Sequence, residues 1–325
     1  MYDYEKFKTA AIRHKYDVAF DEDKKRTTYF ELYEKVNFLF NALCNMGTSG
    51  TAMILCDDPK TLALTSLALS KLGVMRVICD SRISQIKAKE LALLHKPSVV
   101  FLKESELSRL APALQSAGVI TAVVYGKAVP LFPATFEFDK LMQKNDYMLS
   151  AEYTPSCQTQ FEPTVGFTLP ELEITSDTFI DLPCFSEPYA LLCSRALEEG
   201  KTVTVSAEPT PRYFKKKKIK TVISENGKAK FYSDFKCAFA DVKPSVRCVC
   251  GGFLDLDGIG ERLSAASGAL VTLSYNGAVI SVTALFPADF DLTKTEEKTE
   301  LLRDAALDEL IRFDKKKTIT VKKLK

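Results

Sequence analysis

Side chains able to do chemistry are scattered along this sequence rather than gathered. The histidines, the usual base for a cysteine nucleophile, are two, His14 and His95. Both fall in helical stretches with no triad spacing to a nucleophile, and both read as exposed helix residues. Nine cysteines are present. Cys56, Cys79, Cys184, Cys193 and Cys248 sit inside apolar runs, the setting of buried reduced thiols. Cys248-Val249-Cys250 offers two thiols, but on one face of a single strand, with a one-residue gap and no second pair to follow, so no metal is expected. The densest charge run, Lys215 to Lys218 with Lys220, is of the kind that concentrates phosphate-bearing ligands. It directly precedes the apolar Thr221-Val222-Ile223-Ser224, which favours a solvated helix end instead. The basic tail, Lys315 to Lys317 and Lys322-Lys323-Leu324-Lys325, carries the same two readings.

The elements that must position such groups are clearer. Thr28-Tyr29-Phe30-Glu31-Leu32, then Val36, Leu39, Ala42 and Leu43, keep a helical spacing of apolar positions closed by Gly47. Ala52-Met53-Ile54-Leu55-Cys56 is a short apolar run suited to a buried strand, and Asp57-Asp58-Pro59 supplies a turn and a helix start. A helix from about Lys60 to Leu72 stops at Gly73, and Val74 to Cys79 is the next strand. Strand, helix, strand is the unit of a parallel sheet. Ser98 to Leu102 and Thr121 to Tyr125 continue the series.

Read in order, these segments resemble the N-terminal region of the adenylate-forming superfamily, which contains acyl-CoA synthetases, peptide-synthetase adenylation domains and luciferases. Ala11-Ile12-Arg13-His14 and Val18-Ala19-Phe20 precede the first helix as they do there. Lys71-Leu72-Gly73-Val74 is similar to that family's "KLGA" step, and Asp80-Ser81-Arg82-Ile83-Ser84 to the turn after it. Asp177 to Phe185 resembles the "D-V-x-L-x-x-L-P-x-F-H" segment, with Ser186 where a His is common, and Ala196 to Val203 the "L-x-x-G-A-x-V" step. Val246 to Gly252 and Ser274-Tyr275 are similar to the "R-x-x-x-S-G-G" strand and the "Y-G-x-T-E" turn. The matches run in the family's order from about residue 10 to about residue 280.

The resemblance implies an α/β fold of two mainly parallel sheets flanked by helices, as in the N-terminal domain of acyl-CoA synthetases, with the C-terminal domain largely missing. Residues 1–145 are expected to form the first α/β subdomain, 146–169 an irregular connector, 170–290 the second subdomain, and 291–325 a short C-terminal helix and basic tail. Strands near 52–56, 74–79 and 98–102 belong to the first sheet, and those near 179–183, 202–205 and 246–250 to the second. The residues matching the family's adenine-lining positions are Gly251, Gly252, Phe253 and Tyr275.

The chemistry of that family does not carry over with the framework. Activating a carboxylate with ATP needs a cradle of backbone N–H groups for the phosphates and positive charge at the reacting phosphorus. The family uses a Gly/Ser/Thr-rich loop ending in lysine. Here the interval from Ser150 to Ile174 has one glycine, Gly166, no lysine, and prolines at Pro155 and Pro163 that remove donors. Ala278 and Val279 stand where the family's Thr and magnesium-binding Glu are expected, and neither can contact phosphate or metal. Of the C-terminal domain only Lys317-Thr318-Ile319-Thr320-Val321-Lys322 bears a likeness, to a "K-T-x-T-G-K" ending with Val in place of Gly; read without the family, it is a basic final strand.

With 325 residues, of which 46% are hydrophobic, the chain can bury a large core. A net charge of +2 implies no general attraction to nucleic acid or to a membrane surface. No apolar run approaches the roughly 20 residues of a membrane span, and Met1-Tyr2-Asp3-Tyr4-Glu5 is unlike a signal peptide, so a cytoplasmic location is expected. Three functions remain open. One is a degenerate synthetase-like protein without ligase activity, holding a vestigial nucleotide or acyl ligand, with weak AMP or ATP binding and no metal, or holding a protein partner. The second is an active acid ligase with altered motifs or completed by a partner chain, and the third a structural interaction protein.

Overall fold

The computed structural model describes residues 1–22, 25–143, 153–162, 174, 176–181, 184, 186–205, 216, 219, 221–224, 246–249, 252–276, 278–287, 295–310 and 316–323. By compactness the chain divides into an N-terminal unit, Met1–Ser81 with Gln85–Phe239, and a C-terminal unit, Arg82–Ser84 with Ala240–Lys325.

The N-terminal unit begins with α1 (Tyr4–Arg13), β1 (Val18–Glu22), β2 (Lys25–Thr28) and α2 (Tyr29–Asn45). Helix α2 starts where it does because Thr28 and Glu31 form a reciprocal cap: the Thr28 hydroxyl accepts the Glu31 N–H at 3.2 Å and the Glu31 carboxylate accepts the Thr28 N–H at 2.8 Å. Its buried stripe, Leu32, Val36, Leu39 and Leu43, is the one its spacing predicts. Then come β3 (Thr51–Leu55), α3 (Pro59–Leu72), β4 (Met75–Cys79), α4 (Gln85–His95), β5 (Val99–Lys103), α5 (Glu104–Ser116), β6 (Thr121–Tyr125), β7 (Ala134–Glu137), α6 (Phe138–Leu141) and β8 (Thr159–Glu162). Helix α3 is capped by Asp58, carries Pro59 in its first turn and ends at Gly73, whose φ of 77° suits a residue without Cβ.

Strands β3 to β8 form one six-stranded sheet in the order β7-β6-β5-β3-β4-β8, with every neighbouring pair parallel. Its central strands are buried along most of their length and mainly apolar, with Arg76 the charged exception in β4, as expected when helices cover both faces. The three strands assigned to the first sheet from sequence all lie in it. The interval 146–169 differs from the irregular connector expected: Thr159–Glu162 is edge strand β8, in register with Arg76 to Cys79. Its four residues, Thr-Gln-Phe-Glu, bury only Phe161, so no apolar run announces it.

The second sheet contains β9 (Thr178–Asp181), β10 (Val203–Thr204) and β11 (Thr221–Ser224), with α7 (Glu187–Glu198) between the first two. Its order is β11-β9-β10-β1-β2: the first four strands are parallel and β2 returns antiparallel on β1. The N-terminal strands thus complete a sheet whose other members lie about 180 residues on, and the 1–145 and 170–290 segments do not close separately. A buried bond from the Tyr2 N–H to the Ser194 hydroxyl (2.7 Å) ties the same two regions.

In the C-terminal unit, β12 (Val246–Val249) pairs antiparallel with β13 (Gly252–Asp255). This corrects the placement of 246–250 in the second parallel sheet. Val249 faces Gly252, so the chain turns back within two residues, and a strand that turns back so tightly pairs with its successor. Helix α8 (Leu256–Ser267) leads to β14 (Leu270–Tyr275), β15 (Val279–Phe286), α9 (Thr295–Leu310) and β16 (Lys316–Lys323). β14 and β15 are antiparallel, and β16 runs parallel to β15 over its full length. Within 291–325, helix α9 is therefore part of this unit's core, where its Leu302, Ala306 and Leu310 pack with Leu254, Ile280 and Phe286.

Among the described residues no helix is long and apolar enough to cross a membrane.

Candidate functional site

Of the four residues singled out for ligand contact, Gly251 lies outside the described residues. Gly252 opens β13 opposite Val249, and Phe253 faces Cys248. Tyr275 ends β14 opposite Ile280 and packs, half-buried, against the core of the C-terminal unit. Leu254 and Val271 place β13 and β14 on that one core, although the two strands belong to separate sheets.

The turn after Tyr275 is closed by the side chain and backbone of Asn276. The Asn276 side-chain oxygen accepts the N–H groups of Ala278 (3.1 Å) and Val279 (2.8 Å), and the Asn276 N–H reaches the Val279 carbonyl at 3.4 Å. Val279 is already in the ladder, opposite Lys316. The donors at these two positions are engaged, and their side chains hold no ligand atom.

The described part of the interval read against the phosphate loop is likewise occupied. The Ser156 N–H donates to the Ser70 carbonyl at 2.9 Å, and the Gln158 N–H to the Ser156 hydroxyl at 3.2 Å. Beyond it, Thr159–Glu162 is bound into the sheet through β4. Upstream, the Tyr153 ring meets Phe40 edge-on at 5.5 Å. Residues 163–173, with Gly166, lie outside the described residues.

The anchor of this segment is Arg76, fully buried in the apolar strand β4. Its guanidinium donates to the carbonyls of Tyr2 (3.2 Å), Ser66 (2.9 Å), Ser156 (3.0 Å) and Gln158 (3.3 Å). Burial lowers its pKa to about 10, which leaves it charged at neutral pH. The sequence signal was an arginine inside Met-Arg-Val-Ile-Cys, where a buried charge has to find partners.

The other sequence candidates divide. Cys56, Cys79, Cys184 and Cys193 are buried and free, as read. Burial raises the thiol pKa of each, which makes them poor nucleophiles. His14 is half-buried and bonds Asp17 at 2.9 Å. His95 is not the exposed helix residue expected: at the end of α4 its ring is 9% exposed and lies 3.9 Å from Glu162 of β8, because the helix turns that face onto the sheet edge. Ser186 is buried and caps α7, its hydroxyl accepting the Tyr189 N–H at 3.4 Å. Lys216 is exposed, while Lys215, Lys217, Lys218 and Lys220 lie outside the described residues. Among the described residues no group of three His, Cys, Asp or Glu side chains is placed to hold a metal ion.

No family model and no curated protein matches the sequence. Solved structures decide the architecture. A double-mutant form of o-succinylbenzoate CoA synthetase from Bacillus subtilis, bound with its product analogue OSB-NCoA, superimposes with a TM-score of 0.61 at 11% identity, covering 98% of this chain and 94% of that one. The fold is that of the adenylate-forming ligases. A point-mutant coronafacic acid ligase from Pectobacterium brasiliense gives a TM-score of 0.57 at 12% identity over 98% of this chain and 60% of that one. The luciferase-like enzyme of the mealworm Zophobas morio gives 0.56 at 13% identity over 67% and 58%. The chain thus spans less than two thirds of the length of these last two enzymes. At such identities the likeness concerns the fold, and function has to be argued from the site.

Proposed function

We propose that this chain is a degenerate adenylate-forming ligase homologue, acting in the cytoplasm as a binding protein for a nucleotide or acyl ligand. The observation that carries this reading is the engagement of Ser156, Gln158, Ala278 and Val279, whose N–H groups are all spent on internal bonds where the ligase fold would present donors to phosphate. Ala and Val at 278 and 279 supply no ligand for a magnesium ion. ATP with its metal does not fit these residues, and no adenylation step is derived for them.

What the reading retains is a weak site for AMP or adenosine along the Gly251-Gly252-Phe253 backbone, with the base stacked on the Tyr275 ring. Stacking needs an aromatic face and no phosphate contact. The half-buried position of Tyr275 supports this, since one side of its ring packs on the core while part stays accessible. Titration of the full chain with AMP, followed by protein NMR shifts, tests it. Tyr275→Ala should abolish the saturable shifts; shifts that persist place the nucleotide elsewhere.

A further inference from the structure

A second cleft, of about 540 Å³, lies wholly within the N-terminal unit and contains none of the residues just discussed. Its volume falls within the range of small-molecule pockets, roughly 300 to 1,000 Å³. Its position follows from the sheet. The chain steps from β3 to β4 on one side, then returns to β5 on the other, so β3 and β5 are neighbours whose onward connections diverge. In open α/β sheets, ligands gather outside the carboxyl ends of the strands beside such a point. The cleft is lined there by Asp58, which follows β3, and by Tyr125 and Gly126 at the end of β6.

The floor is apolar: Leu32 of α2, Leu64 of α3, Tyr125 of β6 and Phe138 of α6. Around it stand three lysines, Lys25, Lys35 and Lys60, and three carboxylates, Glu22, Asp58 and Asp139. Their roles are unequal. Lys60 is ion-paired with Glu22, and Asp58 accepts the Thr61 N–H at 2.8 Å as the cap of α3. Asp139 is on the exposed rim. Lys25 and Lys35 make no ion pair among the described residues, so theirs are the ammonium groups left to meet a ligand.

Two uncommitted ammonium groups over an apolar floor suit an anion with a hydrophobic body. The six charges sum to zero, and the carboxylates of Glu22, Asp58 and Asp139 disfavour a dianion such as a phosphate ester. We propose that this cleft binds a small amphipathic monocarboxylate, its carboxylate between Lys25 and Lys35 and its apolar body on Leu32, Leu64, Tyr125 and Phe138. The proposal does not rest on the nucleotide site, which lies in the other unit.

Octanoate is the probe, titrated into the full chain by calorimetry, with octyl phosphate as the dianionic control. Lys25→Gln/Lys35→Gln changes one exposed and one half-buried side chain, and far-ultraviolet circular dichroism verifies that the variant is folded. Saturable octanoate binding should weaken on the order of tenfold in the variant and exceed octyl phosphate binding by a similar factor, each tenfold being about 1.4 kcal/mol. Independently, octanoate should slow chemical acetylation of Lys25 and Lys35 in the unmodified chain, read by mass spectrometry, and leave Lys216 unaffected. Absence of saturable binding below about 10 mM, equal affinity in the variant, or preference for octyl phosphate overturns the proposal.

Discussion

Asp57 and Lys103 form an ion pair across the carboxyl ends of β3 and β5, the neighbouring parallel strands from which the onward connections diverge. Burial alone would lower the Lys103 pKa; the hydrogen bond to Asp57 and the nearby negative groups reverse this and hold it above its ordinary value. The pair stands at the strand ends beside which a doubly wound sheet places ligands.

Its energetic worth is small, because the two side chains remain 38% and 36% exposed. Lys103→Ala should cost less than about 1 kcal/mol, and less still in high salt. Gly126, one strand away, behaves oppositely. Its φ is 114°, and a Cβ there would stand 2.5 Å from a carboxylate oxygen of Glu104 and 3.0 Å from that residue's Cβ. Gly126→Ala should cost about 1–3 kcal/mol. Urea midpoints compare the two directly, and a larger loss for Lys103→Ala contradicts this ordering.

Arg76 fastens the N-terminus, α3 and the segment at 156–158 to one another. Arg76→Met removes the charge together with the side-chain donors to four carbonyls, of which that of Gln158 keeps the backbone N–H of residue 76 at 3.2 Å. A loss of about 3 kcal/mol or more is expected, with faster hydrogen exchange concentrated in β8 and the first residues of the chain. Exchange that rises uniformly, with no bias to those segments, argues against the fastening role.

How much of this was legible beforehand depends on locality. Helices α2 and α3 were plain because caps, stripe and stop all lie within one segment: Thr28 with Glu31, and Asp58-Pro59 with Gly73. Strands β3 to β6 were plain because they are buried on both faces and therefore mainly apolar. Strand β8 was missed because a short edge strand needs little apolar character, and the union of β1 with β10 because such pairing leaves no local trace. The turn at Asn276-Gly277 carries a signal in the sequence, the Asn-Gly pair typical of tight hairpins. Arg76 was visible only as an incongruity in a strand.

The buried acids predict how stability responds to alkali. Burial pushes the Cys193 thiol up to about 12 and holds the hydroxyls of Tyr2, Tyr29, Tyr125 and Tyr189 well above 10.0. These groups stay protonated in the folded chain and ionise once it unfolds, near 9.0 for the thiol and 10.0 for the phenols. Their contribution is therefore complete below pH 9 and is lost progressively as pH rises toward 12. The urea midpoint should fall between about pH 9 and pH 11. A midpoint that holds constant across that interval contradicts the burial of these groups.

The central claim is that a ligase fold is present without the means to activate an acid. Carboxylate-dependent exchange of labelled pyrophosphate into ATP measures that step alone, and a panel of fatty, aromatic and amino acids covers the classes such a fold serves. The predicted result is no exchange above the acid-free background with any member. Robust exchange with even one acid contradicts the account.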